Sequence, residues 1–413
     1  MKYIYFLLLT FLFSITGCKD EGTKPQEFSP GYQQDIPWPS LADSPWPMNH
    51  HDPQSTGRSQ YAGPSLGIVK SVLDSFYLYA GIIIDPDSNF YFSALFNSYG
   101  LYCFNKNLNL KWKLTDSLEI GIGHSTPLIS NDNTIYLTGG SFGYLYAIYP
   151  EGKIKWKFKA GIWVYHQGIM IDKSGIIYFV NANGTLFAID KNGNQLWNFS
   201  NNDFLHYDNT TFTISPDGKT LYVPGINITL YAFNLDTRNI KWSFGSGVSY
   251  AAPTVDSDGN IYLLTTSADF YSGSPSLFSL NPDGKVRWVF NHNNKRANQK
   301  FSYSDGTIDI EGNFYFAFDT LYAIDYTGTL KWKKPLDVKT DSPLICDKDG
   351  NIYVSVTDNT DFAFSIWSFD KNGNLRWKTE KFNNEFSGYS AAISSDNELY
   401  VPSFKSSKII IIK

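Results

Sequence analysis

The chain has 413 residues, of which 42 % are hydrophobic, 17 % aromatic and only 18 % charged, enough apolar surface for a large core and rich in the side chains that suit pleated sheets. A formal net charge of -5, with no basic stripe along the sequence, argues against a nucleic-acid partner. No window carries the apolar period of a long amphipathic helix and turn residues interrupt the chain every few positions, so the class predicted is all-β.

Met1-Lys2 and the apolar run Ile4 to Ile15 read as the charged and apolar regions of a secretory signal, too short for a stable membrane span. The run ends in Ile15-Thr16-Gly17-Cys18, which resembles the bacterial lipobox. That resemblance implies a signal peptide over residues 1–17, acylation (palmitate) of Cys18 and lipid anchoring at the outer membrane, facing the periplasm or the cell surface. Lys19-Asp20-Glu21 resembles the export signal of surface lipoproteins, and a solvated linker explains it equally well. Residues 18–40, rich in proline and polar residues, are expected to be a flexible tether, and residues 41–64 a lead-in packed on the folded body. His50, His51 and Asp52 are metal-ligand types, but adjacent side chains of an extended strand point to opposite sides. Structural docking through Trp46, Asp52 and Arg58 is therefore the expectation, with no metal and no cofactor. Apart from Cys18, the cysteines are Cys103 and Cys346. They fall in different repeats and are read as buried thiols.

From residue 65 to the end the chain repeats one unit. Its most regular half is a hairpin, as in Leu186 to Trp197: an apolar strand, a turn on Asn192-Gly193, and a second strand closing on tryptophan. Equivalent hairpins close on Trp112, Trp156, Trp242, Trp288, Trp332 and Trp377, at spacings of 44, 41, 45, 46, 44 and 45 residues, the period of a four-stranded propeller blade. The other half supplies two further strands, as in Pro253 to Leu264 and Pro343 to Val356.

The unit D-x-D-G-N-I-Y followed by L-Y-A-I-D-x-x-G-x-x-x-W resembles the pyrroloquinoline-quinone-type (PQQ-like) propeller repeat over about 350 residues. The resemblance implies that the seven tryptophans dock between neighbouring blades, and that the lead-in packs on the propeller as in secreted members. Quinoprotein dehydrogenases share the repeat and add a vicinal disulfide, a calcium site of glutamate and asparagine, and an axial catalytic aspartate. This chain has no adjacent cysteines and little inserted sequence, so no enzyme activity is expected. The acidic turns at Asp85, Asp256 and Asp347 lack the later ligands of a calcium loop.

Seven hairpins close on tryptophan, and the C-terminus adds three strands without a fourth. The run Leu66 to Val72 can supply the fourth, joining the two ends of the chain in one sheet. The fold predicted is an eight-bladed β-propeller of four-stranded antiparallel blades over residues 65–413, with seven blades as the alternative. Residues three positions before each innermost strand would ring the axis: Tyr79, His124, His166, Asn209, Tyr250, Tyr303, Thr340 and Gly388. The leading functional expectation is a monomeric, non-enzymatic lipoprotein that acts as a protein-interaction scaffold for envelope proteins, by fold-level analogy with the propeller lipoproteins of outer-membrane β-barrel assembly. The alternative is a surface glycan or small ligand held over the ring, and a quinone-dependent dehydrogenase is the third reading.

Overall fold

The computed structural model describes residues 28–413 except 79, 116–124, 140–142, 163, 165–167, 205–210, 226–228, 246–251, 266–275, 293–304, 337, 341, 359–362, 384–388 and 404–407. Eight antiparallel sheets follow one another around a ring as the blades of a propeller, so the eight-blade count holds. A representative blade runs outward through Met170–Ile171, Ile177–Val180, Thr185–Ile189 and Gln195–Ser200. The first and seventh blades carry additional short strands, Tyr77–Leu78 in one and Lys339–Thr340 and Phe382–Asn383 in the other.

The blade follows from its pattern of burial. The second and third strands are buried on both faces and read as continuous apolar runs, whereas the outermost strand alternates, as in Asn239–Gly245, because only its inner face meets a neighbour. Closure comes from the eighth blade, whose strand order is Ala392–Ile393, Leu399–Ser403, Lys408–Ile412 and then Val69–Leu73 from the N-terminal side. Val72 pairs with Ile410 and Leu73 with Ile409.

Five of the eight blades are locked by a relay of side chains that starts from an aspartate. In the turn after the innermost strand an aspartate folds back on its own backbone: Asp309 Oδ1 accepts the amides of Glu311 and Asn313, and Oδ2 accepts Asn313 Nδ2 at 2.8 Å and the Tyr315 hydroxyl at 2.7 Å. Asp85, Asp256 and Asp347 are engaged in the same way. These carboxylates are filled by donors of their own turn and act as turn anchors rather than as calcium ligands. Burial, then the adjacent carboxylate, pushes the Tyr315 hydroxyl well above its ordinary value.

The relay continues outward. Tyr315 packs on Trp332 with ring centroids 5.8 Å apart, and the corresponding pairs of the other tryptophan-bearing blades lie at 5.7 to 5.9 Å. Trp332 Nε1 then donates to the Lys371 carbonyl of the next blade at 2.9 Å, and its ring lies beneath Gly373. The same step links Trp112 to Pro150, Trp156 to Lys191, Trp242 to Pro282, Trp288 to Tyr326 and Trp377 to Pro64. Trp197 differs: the glycine position facing it holds Arg238 (φ 56), whose guanidinium lies 5.7 Å from the indole.

Candidate functional site

The segment before the first blade fills one end of the ring. Innermost strands expose unpaired backbone groups towards the axis, and the lead-in satisfies them in order around the ring. The amides of Ile84, Ile129, Ile214, Val255, Ile308 and Cys346 donate to the carbonyls of Trp46, Pro47, Pro53, Gln54, Thr56 and Gly57, at 2.8 to 3.1 Å. Those acceptors belong to one continuous stretch, and the donors belong to blades 1, 2, 4, 5, 6 and 7. The prolines of this stretch cost nothing here, because only their carbonyls are used.

Between these contacts Asn49 and His50 reach across the centre. A side chain at Gly81 in blade 1 would meet Asn49, whose Nδ2 also lies 3.5 Å from Thr211 of blade 4. His50 is fully buried. Its Nε2 donates to the Leu344 carbonyl at 2.9 Å, and its Nδ1 is hydrogen-bonded to the Ser55 hydroxyl at 2.8 Å. Both ring nitrogens are occupied, so His50 has no lone pair for a metal, and no metal-holding cluster occurs among the described residues.

Asp52 organises the turn beside it. Oδ1 accepts the amides of Gln54 and Thr56 at 3.1 Å, while Oδ2 accepts the Thr56 hydroxyl and faces His51 Nδ1 at 3.1 Å. Burial would raise this carboxyl, but the His51 ring and the Thr56 donors outweigh it and hold it below the ordinary 3.8. A depressed carboxyl contributes stability that is present above about pH 4 and lost as pH falls through the folded-state value. Asp52→Asn is therefore expected to lower stability by about 1–3 kcal/mol at pH 7, and the difference from the parent in chemical denaturation should shrink below pH 4. Equal midpoints at pH 7 would show that Asp52 does not hold the lead-in.

Docking begins earlier than the expected boundary at residue 41. Gln33 is buried and its amide donates to the Ile310 carbonyl at 2.8 Å, Trp38 Nε1 donates to Ile171 at 2.8 Å, and Ser40 binds the Asp172 carbonyl. The tether expected over 18–40 thus loses its last third to the propeller: composition forbids an independent core there, but not pairing with an edge already present. Cys18 and Lys19-Asp20-Glu21 lie outside the described residues. Cys103 and Cys346 are buried free thiols, and burial raises both, Cys103 to about 11.

Of the expected axial ring, Tyr79, His124, His166, Asn209, Tyr250, Tyr303 and Gly388 lie outside the described residues. Thr340 is fully buried, with its hydroxyl 2.9 Å from the Ala317 and Phe318 carbonyls. Thr340 thus ties the seventh blade, where it pairs with Val356, to the sixth.

The model of a protein family described as outer membrane protein assembly factor BamB matches residues 109–243 and 276–413, well over half of the chain. The chain belongs to this BamB family. Its fold is also similar to solved structures. BamB from Moraxella catarrhalis is 15 % identical with a TM-score of 0.59, the match covering 84 % of this chain and 97 % of that one. A europium-containing methanol dehydrogenase is 12 % identical (TM-score 0.58, 87 % and 89 % covered), and quinohemoprotein alcohol dehydrogenase from Comamonas testosteroni 11 % identical (TM-score 0.63, 89 % and 80 % covered). No curated protein matches this BamB-family chain. At such identities the structural likenesses establish the PQQ-like propeller and nothing about chemistry.

Proposed function

We propose that this BamB-family chain is a non-enzymatic, lipid-anchored scaffold at the outer membrane that binds protein partners of outer-membrane protein assembly. The observation that carries this reading is a repeated apolar rim. Leu110, Val286, Leu330 and Leu375 stand two residues before the tryptophans of blades 1, 5, 6 and 7, and are 38 to 50 % exposed. These positions repeat once per blade on the outermost strands, so a partner spanning blades 5, 6 and 7 would cover Val286, Leu330 and Leu375 together. The lead-in, by contrast, fills one end of the axis with its own side chains.

Full-length tagged protein, solubilised gently from envelopes, is expected to co-purify with components of the outer-membrane assembly machinery. Combining Leu110→Ser, Leu330→Ser and Leu375→Ser should remove the partner while leaving the melting temperature within a few degrees. Retention of the partner by that triple variant would overturn the rim as the contact surface. Pyrroloquinoline quinone, calcium and an artificial electron acceptor together should give no turnover of primary alcohols, and turnover would overturn the non-enzymatic reading.

A further inference from the structure

Six of the seven blade-docking tryptophans donate their indole N–H to a backbone carbonyl of the next blade and lie beneath a glycine. Trp197 has neither cap. The turn that faces it is one residue longer, Arg238 N–H donating to the Asn234 carbonyl where Gly193 N–H donates to that of Asp190. Trp197 is 9 % exposed, yet its Nε1 makes no hydrogen bond among the described residues and is not sealed from water. A cleft of about 400 Å³ opens there between blades 3 and 4, with Trp197, Leu196 and Arg238 in its wall. The equivalent clefts between blades 1 and 2 and between blades 4 and 5 measure about 130 and 290 Å³, and neither is lined by its tryptophan. Two more residues break the pattern at this interface. The residue before the tryptophan is lysine or arginine in the other six hairpins and is Leu196 here, 47 % exposed. Arg238 takes φ 56 where glycine faces the other six indoles, a conformation disfavoured for a residue with a Cβ, and its guanidinium makes no ion pair or hydrogen bond among the described residues.

We propose that this cleft docks a peptide segment of another protein, which places a backbone carbonyl on Trp197 Nε1 and an apolar side chain against Leu196. The chemistry is that of the protein's own interfaces, where a backbone carbonyl is what caps each of the other six indoles. Asp172 and Asp236 line the cleft against one cation, Arg238, so a free carboxylate would enter an excess of negative charge, whereas an amide carbonyl carries none. Arg238 has donors for a second carbonyl of the same segment. The inference is independent of the scaffold reading, which concerns the apolar rim of blades 1, 5, 6 and 7.

The test follows the indole N–H resonance of Trp197 in the full chain by nuclear magnetic resonance, assigned with Trp197→Phe. The probes are blocked tripeptides, N-acetyl-glycyl-X-glycinamide with leucine, phenylalanine, serine or aspartate at X, titrated to about 20 mM, a range that resolves millimolar Kd. The leucine or phenylalanine peptide should shift the resonance saturably and bind at least about threefold tighter than the serine and aspartate peptides. Leu196→Lys should weaken that binding about tenfold. Replacing residues 235–239 with a copy of Lys191-Asn192-Gly193-Asn194 restores the shorter turn over the indole and should abolish it. Leu196 is exposed, so Leu196→Lys keeps the test decisive if the turn replacement fails to fold. Three outcomes would overturn the proposal: no saturation by either apolar peptide; equal affinity for the serine or aspartate peptide; or apolar-peptide binding unchanged by Leu196→Lys or by the turn replacement in folded protein.

Discussion

A chain truncated before Lys408 is expected not to reach a soluble, cooperatively folding state. The strand Lys408–Ile412 lies between Leu399–Ser403 and Val69–Leu73, and Ile409, Ile410, Ile411 and Ile412 are all at most 1 % exposed. Removing a buried isoleucine side chain costs about 2–5 kcal/mol, so the loss of four reaches or exceeds the 5–15 kcal/mol that typically holds a domain together. The truncation also leaves the two flanking strands as bare edges able to pair with other chains. A graded version separates folding from aggregation: Ile410→Val should cost about 1 kcal/mol in guanidinium unfolding with an unchanged m-value. A truncated chain that stayed soluble and unfolded cooperatively within about 2 kcal/mol of the parent would show that ring closure is not what stabilises this propeller.

Gly328→Ala is expected to cost about 2–4 kcal/mol, far more than one methyl group at a surface turn. Gly328 has φ +90, a conformation that costs a residue with a Cβ about 1–2 kcal/mol. The added Cβ would also sit 2.6 Å from the Trp288 ring, whose Nε1 is held by the Tyr326 carbonyl and which therefore has nowhere to retreat. In a Trp288→Leu background the steric part should vanish and only the backbone part remain, giving a coupling of at least about 1 kcal/mol in a double-mutant cycle. Additive effects would mean that the glycine serves its own turn and not the blade interface. The fourth blade supplies the contrast. There Arg238 already adopts φ 56 opposite Trp197, in a hairpin one residue longer than the others, so Arg238→Gly should change stability by less than about 1 kcal/mol.

The tryptophan spacing conveys seven hairpins, and the eighth blade has to be inferred from leftover strands. A second period carries the count directly: Tyr91, Tyr136, Tyr178, Tyr222, Tyr262, Tyr315, Tyr353 and Tyr400 occupy the same place in all eight second strands. It is less conspicuous because tyrosine is common in this chain, whereas tryptophan is rare. Tyr400 has no tryptophan beside it because its outermost strand comes from the other end of the chain, and it packs instead on Phe90 of the first blade at 5.0 Å.

The sequence by itself determined the repeating unit, its all-β class and the closure of the ring, because a period of two within strands and of about 44 between them is a local property that each blade restates. Only the tertiary structure decided where the lead-in goes. Its prolines and polar residues carry no periodicity, and its conformation is set by the unpaired inner edges of blades that lie up to about 300 residues away in the chain, as with His50 and Leu344.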